Sequence, residues 1–467
     1  MSTTAIILAA GQGTRMKSSL PKVLHTICGR PMVDWIVEAA LEAGADDAVV
    51  VVGHARELVE AHLAERFGSR VRTAVQAEQN GTGHAVACAV PSLTDEATAA
   101  MVLYGDTPLL QADDLRAAVQ ARAAGKTPLA MLTCLVPDPA GYGRILRNEA
   151  GMVVGIREHR DASDVERRIG EINPGIYVVD VAFLKAALDR LRPDNDQGEL
   201  YLTDVVAMAA EEGGVSDLRA DAATLVGVND RRQLAAVEDA MFQRIADAWR
   251  REGNTIRTGA RIAADVTLGH EVTVEHGASL RGATRVGDGA TIDVGCVLTD
   301  VEVAPGAKVL PYTVAVSSSI GEGAQVGPFT HLRNDSHLGA GSKVGNFVET
   351  KNTTLHDGAK ASHLSYLGDG EIGEGANIGA GTIFCNYDGF QKHKTTIEPD
   401  AFVGSDSQIV APVTIGRGAY VATGTTVTKD VPADALAIAR TRQENKEGYA
   451  TRLKARMKAA KERAAKK

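Results

Sequence analysis

Two hydrophobic rhythms divide the chain. In the first 230 residues, apolar runs at 5–9 and 48–53 alternate with amphipathic stretches at 31–43 and 57–67. The runs predict buried strands and the stretches predict helices. A strand, helix, strand, helix succession predicts a parallel sheet with helices on its faces. Between 231 and 252, Leu234, Val237, Met241, Ile245 and Ala248 recur every three or four positions, predicting one linker helix. Its polar face mixes both charge signs, which suits packing against a domain better than a membrane surface. Beyond 253 an aliphatic side chain returns at every sixth position: Ile262, Leu268, Val274, Leu280, Val286, Ile292 and Leu298 in one series. The phase resumes at Ile320, Ile372 and Ile397, with small residues such as Ala290, Ala324, Ala376, Ala401 and Ala419 two places before the aliphatic. An ordinary sheet repeats every two residues and cannot hold that phase. Three hexads make one triangular coil of parallel strands, and stacked coils make a solenoid. The predicted class is α/β, with a Rossmann-like domain at 1–230, a linker helix at 231–252 and a parallel β-helix at 253–467.

Composition narrows this picture. The 467 residues, 44% hydrophobic and 23% charged, suit a soluble protein of two or more domains. Only 4% are aromatic and 48 are glycine, as expected of stacked aliphatics with glycine at the corners. A net charge of -9 argues against gripping nucleic acid. Cys28, Cys88, Cys134, Cys296 and Cys385 are scattered and odd in number, which predicts free thiols in a reducing cytoplasm. No apolar run approaches ~18 residues and no basic leader precedes the first one, so neither a signal peptide nor a membrane span is expected. Residues 452–467 hold eight cations and one acid, which reads as a solvated helix, with an anionic partner as the alternative.

Candidate chemistry begins at the turn Gly11-Gln12-Gly13-Thr14-Arg15 after the first strand. Glycines there let main-chain N–H groups face anionic oxygens, and Arg15 and Lys22 can neutralise a polyphosphate. A dinucleotide fingerprint needs a third glycine where Met16 stands. Asp106 ends the apolar run 99–103, where a carboxylate can reach a metal; a turn or cap before Thr107 and Pro108 is the plainer alternative. In the solenoid, the period breaks at Arg333, at 349–352, at 363–369 and over the polar insertion 385–396. A purely structural coil has no need of these polar segments.

The string Leu8-Ala9-Ala10-Gly11-Gln12-Gly13-Thr14-Arg15-Met16, with Leu20-Pro21-Lys22, resembles the sugar-1-phosphate nucleotidyltransferases. Gln76 to Thr82, Tyr104-Gly105-Asp106, Gly141 to Arg144, Glu158, Asn173 and Gly227 to Asn229 follow in the order found in the uridylyltransferase half of the bifunctional bacterial enzymes that make UDP-N-acetylglucosamine. That resemblance implies catalytic roles for Arg15 and Lys22. It implies substrate contacts from Leu8, Ala9, Ala10, Gly11, Tyr104 and Gly105, uracil contacts from Gln76, Gly81 and Thr82, and an amino-sugar pocket at Gly141, Glu158 and Asn173. Asp106 and Asn229 would hold Mg2+. Without the resemblance, Glu158 would read as a solvated surface charge.

The solenoid resembles the acetyltransferase half of the same family, so the similarity spans nearly the whole chain. Acetyl transfer to an amine requires a base that accepts a proton near neutral pH, and His363 is the candidate. The resemblance implies that Arg333, Lys351, Tyr366, Asn377 and Lys392 surround His363 and hold the phosphorylated sugar, and that Ala380, Tyr387, Ser405, Thr423 and Arg440 meet acetyl-coenzyme A. Asn386 would orient the amine, or else simply serve the turn Asn386-Tyr387-Asp388-Gly389. A left-handed coil and a homotrimer are further implications. Two departures stand out: Asn334-Asp335 where Pro-Gly is common, and Thr423 where alanine is familiar. The whole reading is a cytoplasmic enzyme that acetylates glucosamine 1-phosphate and then joins the product to UTP, releasing pyrophosphate, with no nucleic-acid or membrane partner. The competing readings are a nucleotidyltransferase with a merely structural or regulatory solenoid, and a scaffold with both sites dead.

Overall fold

A computed structural model describes residues 2–465, so that Lys466 and Lys467 of the basic tail lie outside the described residues. Contacts divide the chain into one unit of Met1–Ala248 with Ile262–Ala264, and another of Trp249–Arg261 with Asp265–Lys467. The predicted linker is a helix, Arg231–Arg251, most of which belongs to the first unit.

The first unit is built on a ten-stranded sheet. Val71–Val75, Asp47–Val52, Ser2–Leu8 and Ala97–Tyr104 lie side by side and parallel. Tyr177–Asp180 then runs antiparallel between Ala97–Tyr104 and Leu129–Leu135. Both faces of the parallel strands are covered, which is why they read as unbroken apolar runs. Ala5, Ile7, Val50 and Val52 point to a core shared with Met32–Glu42, Arg56–Phe67 and Ala112–Gly125. The alternate residues Ile6, Val49 and Val51 enter the opposite core, beneath Thr82–Ala89, Val181–Leu188 and Asp204–Glu212. A third, smaller core joins Met16, Ile27, Cys28, Met32, Leu109 and Val228 to Val237 and Met241 of the helix Arg231–Arg251. The apolar stripe of that helix therefore closes over the segment that follows the glycine-rich turn.

In the second unit, Thr273 pairs in parallel with Thr291, Ser279 with Val297 and Thr267 with Arg285, each eighteen positions on. Three six-residue sides make one coil, and the inward aliphatics Val274, Leu280, Ile292 and Leu298 are fully buried. Ala290, Ala324, Ala376, Ala401 and Ala419 are buried at the tight corners. The phase slip after Leu298 is a shortened corner, since Arg285 pairs with Glu302, seventeen positions on. The insertion shows as a step of twenty-five, from Asn377 to Phe402, and its chain folds back on itself through a bridge between Tyr387 and Lys392. Where the sequence period weakens, Lys343–Lys351 and Lys360–Gly368 each run through a corner, at Phe347 and Leu364, onto a second side and pair along most of their length. The basic helix Tyr449–Ala464 buries no residue. Among the described residues, no helix is long and apolar enough to cross a membrane.

Gly345 sits in that pair of strands, where an added Cβ would strike the main chain of Ser362. Gly345→Ala is expected to lower stability by about 1–3 kcal/mol through overpacking, read as a fall in Tm. An unchanged melting curve would show that the two strands part there without cost.

Candidate active sites

The strand Ser2–Leu8 delivers Ala9, Ala10 and Gly11 to the carboxyl edge of the sheet, the usual place for ligands in such folds. Gly105 N–H donates to the carbonyl of Leu8 at 3.0 Å and Ala9 N–H to that of Val51 at 2.9 Å, which fixes the strand ends. Gly13 has φ of 61°, and a Cβ there would lie 2.8 Å from Cβ of Lys22, so only glycine lets the turn close onto that lysine. Beyond the turn is a cleft of about 310 Å³ lined by Leu8, Ala9, Ala10, Gly11, Lys22, Gln76, Gly81, Thr82, Tyr104 and Asp106. A second cleft of about 320 Å³ shares Thr82, Tyr104 and Asp106 with it and adds Gly141, Glu158, Asn173 and Asn229. The sequence-predicted residues of this half thus converge on two adjoining clefts, apart from Gly105 in the wall behind and Arg15, which reaches Asn229.

The polar groups are fixed before any ligand arrives. Gln76 is nearly buried, and its Nε2 donates to the carbonyl of Gly81 at 3.1 Å. Asn173 donates to the Tyr177 hydroxyl at 2.7 Å and accepts from Gly175 N–H at 3.0 Å. Burial keeps the Tyr104 phenol protonated, pushing its pKa well up. Burial also raises the pKa of Glu158, against a smaller lowering from the Thr203 hydroxyl. Glu158 is therefore a half-buried wall of the second cleft, which corrects the solvated-charge alternative.

Asp106 and Asn229 are brought together by the hydrogen bond from Val228 N–H to the carbonyl of Asp106, 2.8 Å. Each already carries a side-chain cation: Lys22 is paired with the Asp106 carboxylate, and Arg15 Nη2 donates to Asn229 Oδ1 at 2.8 Å. Among the described residues there is no group of three or more His, Cys, Asp or Glu placed to hold a metal. One carboxylate and one amide oxygen beside a phosphate cleft fit magnesium, which completes its octahedron with phosphate oxygens and water.

Reading the sequence alone missed the segment Gln197 to Thr203. Glu199 lines both clefts, Tyr201 and Thr203 line the second, and the carbonyl of Leu200 accepts Gly83 N–H at 2.8 Å. The only signal was a polar stretch ahead of Asp204–Glu212, indistinguishable from an ordinary loop.

In the solenoid the predicted residues form separate ladders. Arg333 lies one coil below Lys351, and Glu349 is paired with Tyr366 on the adjoining strand. Arg333 Nη1 donates to Glu349 at 2.8 Å. The Lys392 ammonium, reaching from the insertion, stands against Lys351 and lowers its pKa, with Arg333 adding to the effect. Three cations so close together call for an anion. Asn386 is buried; its side-chain amide donates to Asp369 at 2.5 Å and its main-chain carbonyl accepts His393 N–H at 2.8 Å.

His363 is exposed and lies three residues before Tyr366 in Lys360–Gly368, on the other side of a corner made by Leu364, whose φ is 43°. It belongs to another ladder, at the corner where Gly381 N–H meets the carbonyl of Leu364, Asp406 N–H that of Ala380, and Gly424 N–H that of Ser405. Ala380, Ser405 and Thr423 stack along that corner, and Arg440 donates to the carbonyl of Thr423 at 2.6 Å. Asn377 stands between Lys360 and Phe402, on the side of the coil that ends at His363 and Ala380, while Tyr366 opens the next side, past the corner at Leu364.

Residues 5–169 match the family described as a MobA-like NTP transferase domain, and residues 394–429 match bacterial transferase hexapeptide, six repeats. The chain is 62% identical over 464 residues to the bifunctional protein GlmU of Sorangium cellulosum, covering 98% of each chain. It is 48% identical to the bifunctional protein GlmU of Brevibacillus brevis over 453 residues, 96% of this chain and 97% of that one. With that of Streptomyces avermitilis the identity is 46% over 463 residues, 98% of this chain and 95% of that one. Fold and clefts define a nucleotidyltransferase domain fused to a hexapeptide-repeat transferase. The chain belongs to the bifunctional GlmU family, enzymes of UDP-N-acetylglucosamine synthesis that carry uridylyltransferase and acetyltransferase activities on one polypeptide.

Because the Glu158 pKa is raised, its carboxylate protonates at a higher pH than an ordinary glutamate as the solution is acidified. KM for the sugar phosphate is expected to rise as pH falls through that value, since the neutral acid is a poorer acceptor. Glu158→Gln should raise KM about 10- to 100-fold, the equivalent of a hydrogen bond to a charged group, and should abolish the acid limb. A wild-type KM that is flat across the acid range refutes the assignment.

Proposed function

We propose that the first unit joins UTP to N-acetylglucosamine 1-phosphate, and that the solenoid first acetylates glucosamine 1-phosphate using acetyl-coenzyme A. The observation that carries the first assignment is the pair of cations, Lys22 paired with Asp106 in the first cleft and Arg15 donating to Asn229 beside the second. In the reaction an oxygen of the sugar phosphate bonds to the α-phosphorus of UTP and the bond to pyrophosphate breaks. The nucleophile is already an anion, so no base is required, and the work lies in alignment and charge neutralisation. Gln76, its NH2 held by Gly81, offers its oxygen to the imide N–H of uracil, while Gly81 and Thr82 border the base. Gly141, Glu158 and Asn173 grip the amino sugar. Lys22 and Arg15 exchange their present partners for phosphate oxygens as charge moves to the leaving pyrophosphate. Bound magnesium, held by Asp106 and Asn229, would supply further neutralisation of the phosphates.

In the solenoid, Arg333, Lys351 and Lys392 bind the sugar phosphate, relieving the repulsion between the two ammonium groups. Tyr366 and Asn377 border the sugar. The amine nitrogen bonds to the thioester carbonyl carbon while His363 accepts a proton from nitrogen, and collapse of the intermediate breaks the bond to sulfur and frees coenzyme A. Asn386 orients the amine through its side-chain oxygen. Ala380, Ser405 and Thr423 give the coenzyme a narrow groove, with Tyr387 and Arg440 at its edges. The hexapeptide repeats support assembly, and we propose a homotrimer in which a neighbouring copy completes the acetyl site. The five free cysteines support a cytoplasmic location.

Asp106→Ala is expected to abolish pyrophosphate release from UTP while thiol release from acetyl-coenzyme A continues, and His363→Ala should do the reverse. Should His363→Ala leave thiol release intact, another group is the base. Light scattering should give three times the mass of the chain at micromolar concentration; a monomer that retains acetyl transfer refutes the shared site.

A further inference from the structure

The helix Arg231–Arg251 begins two residues after Asn229, and its first turn is hydrogen-bonded to Asn229, to Met16 beside Arg15 and to His25 three residues after Lys22. Asp230 caps it, accepting Gln233 N–H at 2.8 Å, and Gln233 Oε1 in return accepts Asn229 N–H at 2.7 Å. This reciprocal pairing satisfies main-chain donors that a helix start leaves bare. It also ties Asn229 through its own backbone, while the Asn229 side chain points to Arg15 at 2.8 Å. Arg231 reaches the other way. Its Nε donates to the carbonyl of Met16, next to Arg15, at 3.3 Å, and its Nη1 to Nδ1 of His25 at 3.3 Å. His25 is buried and closes the short turn that begins at Lys22, its N–H donating to the Lys22 carbonyl at 3.2 Å.

Resting on the uridylyl-transfer reading above, we infer that Gln233 and Arg231 are positioning residues for that reaction: Gln233 sets Asn229 at the metal, and Arg231 sets the two turns that carry Arg15 and Lys22. Neither side chain lines the clefts, so each acts through another residue. Groups standing behind a metal ligand typically govern affinity or rate by about 10- to 100-fold. Arg231 is suited to its task because a guanidinium donates in two directions at once, to a carbonyl and to an imidazole nitrogen, as a lysine does not.

The test uses the full chain with Gln233→Ala, Gln233→Glu, Arg231→Ala and, as reference, Asp106→Ala. The first readout is the binding of Mn2+ to the UTP-loaded protein, followed by water proton relaxation with no sugar phosphate present. The second is the magnesium concentration for half-maximal pyrophosphate release, with KM and kcat measured separately. Gln233→Ala should weaken both metal readouts about tenfold and leave KM for N-acetylglucosamine 1-phosphate within twofold. Gln233→Glu keeps the acceptor and should restore them. Arg231→Ala should lower kcat about tenfold or more with little change in Mn2+ affinity. Thiol release reports whether the solenoid half remains intact. Wild-type metal affinity and kcat in Gln233→Ala and Arg231→Ala overturn the inference. So does a joint loss of both activities with a lowered Tm, which marks a structural cap alone. If Asp106→Ala itself turns over normally, the site reading fails; if it is inactive while the helix variants behave as wild type, only the positioning role fails.

Discussion

Parallel strand pairing is the constraint from which both halves of this chain follow. Two parallel neighbours cannot be joined by a tight turn, so the chain must travel the length of a strand before it pairs again. The first unit makes that return trip through helices, and the price is a sheet buried on both faces. The solenoid makes it by running around two further sides of a triangle, each six residues long, with one aliphatic pointing inward per side. In either case the places where the chain turns are left at the edge of the pairing, with main-chain groups unspent. That is where the candidate site residues gather: after Leu8 and Tyr104 in the sheet, and at the paired and inserted corners of the coil.

The two sites solve one electrostatic problem in different ways. Both must receive phosphate, and both concentrate cations for it. In the first unit, Lys22 lies against the carboxylate of Asp106, while Arg15 rests on the uncharged amide oxygen of Asn229 and keeps its charge uncompensated. In the solenoid, Lys351 and Lys392 crowd each other with a single glutamate, Glu349, taking up Arg333 nearby.

The helix Arg231–Arg251 shows how packing and chemistry share one element. Val237 and Met241 anchor it in a small core with Met16, Ile27 and Val228, and its capped first turn then lies against Asn229, Met16 and His25. A rigid helix start is a better support for a metal-facing oxygen than a loop, since its main-chain geometry is set by bonds along the helix.

Much of this architecture is legible in order along the chain. The alternation of Ile6 and Ile7 between two cores, the three- and four-residue stripe from Leu234 to Ala248, and the sixfold phase from Ile262 to Leu298 are all local periodicities, and each became the element it announces. The glycine-rich turn with Arg15 and Lys22 is local too, and its ligand chemistry follows from residue type. What the chain order does not contain is which distant segments meet. Tertiary structure alone packed Glu199 against Gly81, buried Glu158 far enough to raise its pKa, laid Arg231 on His25 across about 200 residues, and set Asn377 on a different side of the coil from Tyr366. Periodicity is written by neighbours a few residues apart, so sequence carries it; a site is written by contacts between strands that pair only once the whole sheet or coil has closed.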